Sequence, residues 1–238
     1  MGLVTILAVL AVAVAVGAVI QGSIGFGYAL LAVPAMALVL PWAVPVTPLL
    51  LALPMTVLMS AREWRSIDTG GFVLITVGRL VGTVAGVALL VLAPKGWLSA
   101  LTGLLIVAAA LGSFLRPNFE VNDRTRIAGG VASGVVGTVA ALGGTPLALV
   151  YQDRSGPELR STLAISFVVG ILMSLAGLWL AGKVEARHAV LALELLPCLL
   201  VGLWASRWVV ERLDERWLRP VVLAFATIAG AAIVFLGS

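Results

Sequence analysis

Ten apolar stretches run almost end to end through this chain, at 3–21, 28–40, 43–60, 72–93, 97–114, 128–141, 144–151, 160–181, 188–208 and 217–236, separated only by short charged or Gly/Pro-rich breaks. The runs are continuous instead of alternating, so they read as helices and not as strands of a barrel. About 20 helical residues cross the hydrocarbon core of a bilayer. With 61% hydrophobic and 11% charged residues, the chain has too little polar surface for a soluble domain. The fold class expected is an all-α polytopic membrane protein. The opening MGLVTILAVLAVAVAVGAVI lacks the basic flank of a cleaved signal peptide and reads as a retained helix.

A net charge of +4 raises the question of nucleic acid. The cations instead sit in short loops, as the positive-inside rule describes, so no nucleic-acid partner is expected. Arg62, Arg65, Arg116, Arg124, Arg126, Arg154, Arg160, Arg207, Arg212, Arg216 and Arg219 share one side, against Lys95, Lys183 and Arg187 on the other. The Arg-rich side is then cytoplasmic, and both termini face outward. That assignment forces 128–151 to enter and leave on one face. At that length it is a re-entrant hairpin.

Segments 28–40, 128–141 and 144–151 are too short to span, and they flank two glycine-rich breaks, Gly22–Gly27 and Gly143–Pro146. The halves also resemble each other. Trp97-Leu98 matches Trp217-Leu218, Gly82/Gly86 matches Gly202/Ser206, and Ile67-Asp68 matches Val184-Glu185, in the same order. This predicts a first membrane repeat over 1–114, a cytoplasmic connecting loop over 115–127 and a second repeat over 128–238. Five segments per half is an odd number, so the second repeat is inverted, and short Gly/Pro-interrupted segments in such repeats point to a transporter's midplane site.

Two helices restarting after these breaks, at Tyr28 and near Thr145, present unpaired N–H groups and positive dipole ends where a small anion can bind. The candidate binding residues are Gln21, Ser23, Gly25, Phe26, Gly27 and Tyr28 at the first break, and Gly143, Gly144 and Thr145 at the second. Taken singly, each polar member reads equally as a helix–helix contact. Arg79 lies about 10 Å inside its helix, too costly there without a partner or a pocket. Glu194 lies at a similar depth from the opposite face, so it either pairs with Arg79 or carries a coupling proton. A structural Arg79–Glu194 ion pair is the plain alternative. His188 reads as a solvated residue at a helix start, Cys198 as core, and the glycine faces as close helix packing that permits either internal contact or a homodimer.

At the breaks the sequence resembles the sulfite exporter TauE/SafE family. Gly22-Ser-Ile-Gly-Phe-Gly-Tyr-Ala-Leu-Leu-Ala-Val-Pro34 looks like that family's first glycine motif, and Gly134-Val-Val-Gly137 with Leu142-Gly-Gly-Thr-Pro146 is similar to its second. Arg160-Ser-Thr-Leu-Ala also fits. The chain departs from the pattern where Gly-Gly-Thr replaces a triple glycine and Ala141 replaces a glycine. The resemblance implies transport of sulfur-containing anions such as sulfite or sulfonates, or of related organic anions, and the compact loops fit a prokaryotic inner (plasma) membrane.

The leading expectation is a secondary active transporter of small anions, coupled to an ion gradient and most simply to protons. An anion channel and a carrier of small carboxylates are the alternatives. No Walker-type loop and no Cys/His or carboxylate cluster at catalytic or metal spacing occurs in the sequence, so no enzyme activity, metal or cofactor is expected. The partners expected are a small anionic substrate and the lipid bilayer.

Overall fold

The computed structural model describes residues 2–62, 64–115, 121–151, 156–209 and 215–236, and every regular element among them is helical. The ten helices are α1 (Leu3–Ile24), α2 (Tyr28–Val39), α3 (Val46–Arg62), α4 (Thr69–Leu92), α5 (Lys95–Leu115), α6 (Asp123–Ala140), α7 (Gly144–Val150), α8 (Gly156–Leu180), α9 (Ala186–Val209) and α10 (Glu215–Leu236). Each apolar segment therefore has its helix. Arg116, Arg154 and Arg212, counted among the loop cations, lie outside the described residues.

The largest boundary change is at α6, which begins at Asp123 and not at 128. Asn122 caps it reciprocally: its side chain accepts from the Thr125 N–H at 3.0 Å, and Thr125 Oγ1 accepts from the Asn122 N–H at 2.9 Å. Arg124 and Arg126, expected in a loop, thus belong to the first turns of a helix. Five stretches are long and apolar enough to cross a membrane: Leu3–Ile24, Thr69–Leu92, Trp97–Leu115, Glu158–Leu180 and Ala186–Trp208. Large apolar side chains such as Val84, Leu92, Leu180, Val201 and Ile228 face outward. An outer surface of this kind suits lipid, and the chain is an integral membrane protein.

Two helix pairs are joined by tight breaks. α1 ends where Gly25 takes φ 101°, and Gly27 takes φ 120° before α2 begins, both conformations that favour glycine. α6 ends at Ala141, whose φ of 56° is left-handed, and α7 follows. α7 folds back along α6. Ser133 Oγ donates to the Gly143 carbonyl at 2.6 Å, and a β-carbon on Gly129 would lie 2.6 Å from Val150 Cγ2.

The open ends of that hairpin meet at one carboxylate. Asp68 Oδ1 caps α4 by accepting from the Gly71 N–H at 3.0 Å, while Oδ2 accepts from Arg126 Nη2 and from the Tyr151 hydroxyl, each at 3.0 Å. The Asp68 N–H donates to Thr162 Oγ1 at 3.0 Å. One residue thereby ties together α4, α6, the end of α7 and α8.

Helix neighbours follow a pattern. α1 packs on α9 as α6 packs on α4; α2 lies on α1 and α10 as α7 lies on α6 and α5; α3 meets α9 as α8 meets α4. α3 also packs on α8, and α5 on α10. The α4–α6 seam is made by Gly78, Gly82, Gly130 and Gly134, where an added β-carbon would collide with the backbone of the facing helix. Gly82 abuts the Val131 carbonyl, and on the other pair Gly202 of α9 abuts the Ala15 carbonyl of α1. Without a hydrophobic driving force between helices in lipid, such backbone-to-backbone contact is what holds them together.

Candidate functional site

The two breaks wall one small cavity. It measures about 40 Å³ and is lined by Gln21, Phe26, Gly27 and Tyr28 from the first break, and by Gly143, Gly144 and Thr145 from the second. Arg79, Gly137, Ala141, Leu142, Ala29, Leu30, Leu49, Ala52, Phe167 and Ile171 complete the wall. Eight of the ten binding candidates therefore come together here. Ser23 and Gly25 do not: Ser23 Oγ donates to the Val19 carbonyl at 2.8 Å within its own helix, and Gly25 packs against the Arg160 side chain.

The charge in this cavity comes from Arg79, which α4 carries into the centre of the bundle at 3% exposure. Its guanidinium lies in a cradle of glycines from three places. A β-carbon would come 3.2 Å from Nη2 at Gly137 of α6 and 3.0 Å from it at Gly143 of the break. At Gly170 of α8 a β-carbon would collide with Nε and Cζ. Arg79 Nη1 donates to the Ser166 carbonyl at 3.3 Å, and Nε is buried with no partner among the described residues. A buried, fork-shaped donor left partly unsatisfied beside a cavity is suited to a planar or pyramidal oxyanion. Gly170 and Ser166 carry no local sequence signal, because a small residue within a long apolar helix does not show what it faces.

The helix N-termini contribute less than expected. The first free N–H of α2, on Tyr28, is already donated to Gln21 Oε1 at 3.2 Å. α7 has only seven residues, and the Thr145 N–H is donated to the Leu142 carbonyl at 3.3 Å. A short helix sums few peptide dipoles. The one full positive charge among the residues lining the cavity is the Arg79 guanidinium.

The structure does not pair Glu194 with Arg79. Glu194 is exposed on α9, flanked by the exposed Leu193, whereas Arg79 faces α6, α8 and the second break. The packing glycines give the reason. Three residues before Gly82 stands Arg79, and three before its counterpart Gly202 stands the buried Leu199, so Glu194 occupies a different turn and a different face.

A second, wider pocket of about 570 Å³ opens where α2 ends and α9 begins. Trp42, Lys183, Glu185, Arg187 and His188 line it together with Leu90, Val139 and Leu178. His188 is buried, not solvated: Nδ1 accepts from the Glu185 N–H at 2.9 Å, so Nε2 carries the proton and meets the Trp42 carbonyl at 3.0 Å. It closes the first turn of α9 as a capping side chain. Arg187 pairs with Glu185 at 2.9 Å and lies over the Trp42 ring, 4.7 Å from its centroid. Cys198, expected in the core, is half-buried.

No match is found among curated proteins or among solved structures. The family model described as Sulfite exporter TauE/SafE matches residues 9–233, nearly the whole chain and both glycine breaks. On that match, over nearly its whole length, this chain belongs to the sulfite exporter TauE/SafE family.

Proposed function

We propose that this protein is a secondary active carrier of small sulfur oxyanions, with sulfite the foremost substrate, and that the anion binds at Arg79 in the cavity between the two glycine breaks. One observation carries this reading: the buried Arg79 guanidinium borders a cavity whose walls come from both breaks. An arginine at this depth costs at least ~2.5 kcal/mol on insertion scales, a cost that a functional site justifies. The cavity's ~40 Å³ suits a compact inorganic anion, since one water-sized probe takes about 10–15 Å³. A sulfonate or a carboxylate with a carbon chain needs the site to expand.

The two halves form an inverted repeat, with broken helix pairs entering from opposite faces. The interchange of helix neighbours between the halves supports this, as do the matching Gly82–Val131 and Gly202–Ala15 contacts. Both termini face the outside of a prokaryotic inner membrane, and the halves rock about the midplane site to give alternating access. The chain works as a carrier and not as an enzyme, and a proton gradient supplies the energy. A carrier is favoured over a channel because the Arg79 cavity is small and, among the described residues, shares no lining residue with the wide pocket, as an occluded site would.

Uptake into proteoliposomes tests the reading, using sulfite, taurine, sulfoacetate and acetate with and without a proton gradient. Saturable, gradient-dependent sulfite uptake is expected, resisting competition by acetate. Acetate preference moves the substrate class, and linear, non-saturating flux indicates a channel.

A further inference from the structure

Behind the guanidinium of Arg79, α4 and α8 run side by side in the same direction, with Arg79 against Gly170 and, one turn on, the Thr83 methyl 3.9 Å from the β-position of Gly177. Three polar atoms in this seam are buried without a hydrogen-bond partner among the described residues: Arg79 Nε, Thr83 Oγ1 and Ser166 Oγ. Their residues are 3%, 4% and 2% exposed. At about the level of Thr83, Thr138 Oγ1 of α6 and Ser174 Oγ of α8 bond each other at 2.9 Å. Beyond them the seam ends at the wide pocket. Val139 follows Thr138, Leu178 lies one turn past Ser174, and Leu90 lies two turns past Thr83, and all three line that pocket.

In a bundle surrounded by lipid, buried hydroxyls without partners are costly and call for an explanation. Between the open pocket and the guanidinium lie three buried hydroxyls, Thr83 without a partner among the described residues and Thr138 and Ser174 bonded to each other, and an anion path supplies that explanation. We propose that the α4–α6–α8 seam, lined by Thr83, Thr138 and Ser174, is the outer half of the anion path to Arg79, and that Leu90, Val139 and Leu178 are its apolar gate. The inference rests on the carrier reading and deepens it. The gate is closed in this structure, with Leu90, Val139 and Leu178 at 8%, 1% and 0% exposure. When it parts, these hydroxyls, about one helical turn or 5.4 Å from Arg79, replace water around the anion.

Single cysteines test the path. In a Cys198→Ser background, Thr83→Cys, Ser174→Cys and, as the pocket reference, Leu90→Cys are reconstituted and treated with a membrane-impermeant methanethiosulfonate bearing a sulfonate. Thr83→Cys and Ser174→Cys are expected to be labelled to the same extent as Leu90→Cys, only more slowly. Val139→Ala should speed labelling at Ser174→Cys by about tenfold, as a lowered barrier would. Val139→Trp should abolish sulfite uptake by folded protein. Cysteines at 83 and 174 that stay inert while Leu90→Cys reacts and uptake persists overturn the proposal. An inert Leu90→Cys, or unchanged uptake by Val139→Trp, also overturns it, the latter even where the cysteine variants fail to fold. Failure of the carrier reading registers separately, as absent sulfite uptake by the unmodified protein.

Discussion

The guanidinium of Arg79 occupies the space that a side chain at Gly170 would fill: a β-carbon there would collide with Nε and Cζ. α4 supplies the charge and α8 supplies the gap. Gly170→Ala therefore displaces the arginine or parts the helices. The expected cost is about 1–3 kcal/mol of stability, typical of overpacking, together with the loss of most sulfite uptake. Gly112→Ala in α5 is the control. Among the described residues its β-carbon meets only Leu149 Cδ1, at 3.6 Å, and thermal unfolding in detergent should show no loss.

Arg79 itself separates charge from shape. Arg79→Ala removes the positive charge of the cavity, and uptake should fall to background. Arg79→Lys keeps a charge on a flexible stem but loses the fork that reaches Ser166 and the cavity together, so it should retain only partial uptake with a raised KM. Initial rates over a range of sulfite concentrations distinguish the two.

Ala141 pays for its place in the second break. At φ 56° an alanine sits where glycine carries no β-carbon penalty. Ala141→Gly should stabilise the protein by up to about 1 kcal/mol, the left-handed penalty being partly offset by the freer unfolded chain. A rise in Tm checks it.

The Asp68 junction makes a graded prediction. Asp68→Ala removes the α4 cap and leaves Arg126 and Tyr151 without their shared acceptor, for a loss of about 2–4 kcal/mol when the cap and the charged bonds are counted together. Tyr151→Phe removes one hydrogen bond and should cost roughly 0.5–1.5 kcal/mol. Denaturation midpoints of both variants and of the double variant give the coupling between them.

Much of this was legible in the sequence because lipid imposes simple rules. Apolar runs gave every helix, and Gly25 and Gly27 marked a break that the backbone makes with positive φ. What stayed hidden depended on which helix faces which. Gly170 is one glycine among many until α8 meets Arg79. Depth suggests an Arg79–Glu194 pair, but depth alone does not fix rotation about a helix axis, and Glu194 is exposed. His188 looked solvated because its acceptor role toward Glu185 and its contact with the Trp42 carbonyl arise only when distant segments join.

The most direct measurement is equilibrium binding of radiolabelled sulfite to the purified protein and to Arg79→Gln, each shown to be folded by its thermal transition. Saturable binding by the unmodified protein, at least about tenfold weaker in Arg79→Gln, is predicted, a difference of roughly 1.4 kcal/mol or more. Equal affinity in the two proteins would contradict the account, because the guanidinium would then not be where the anion binds.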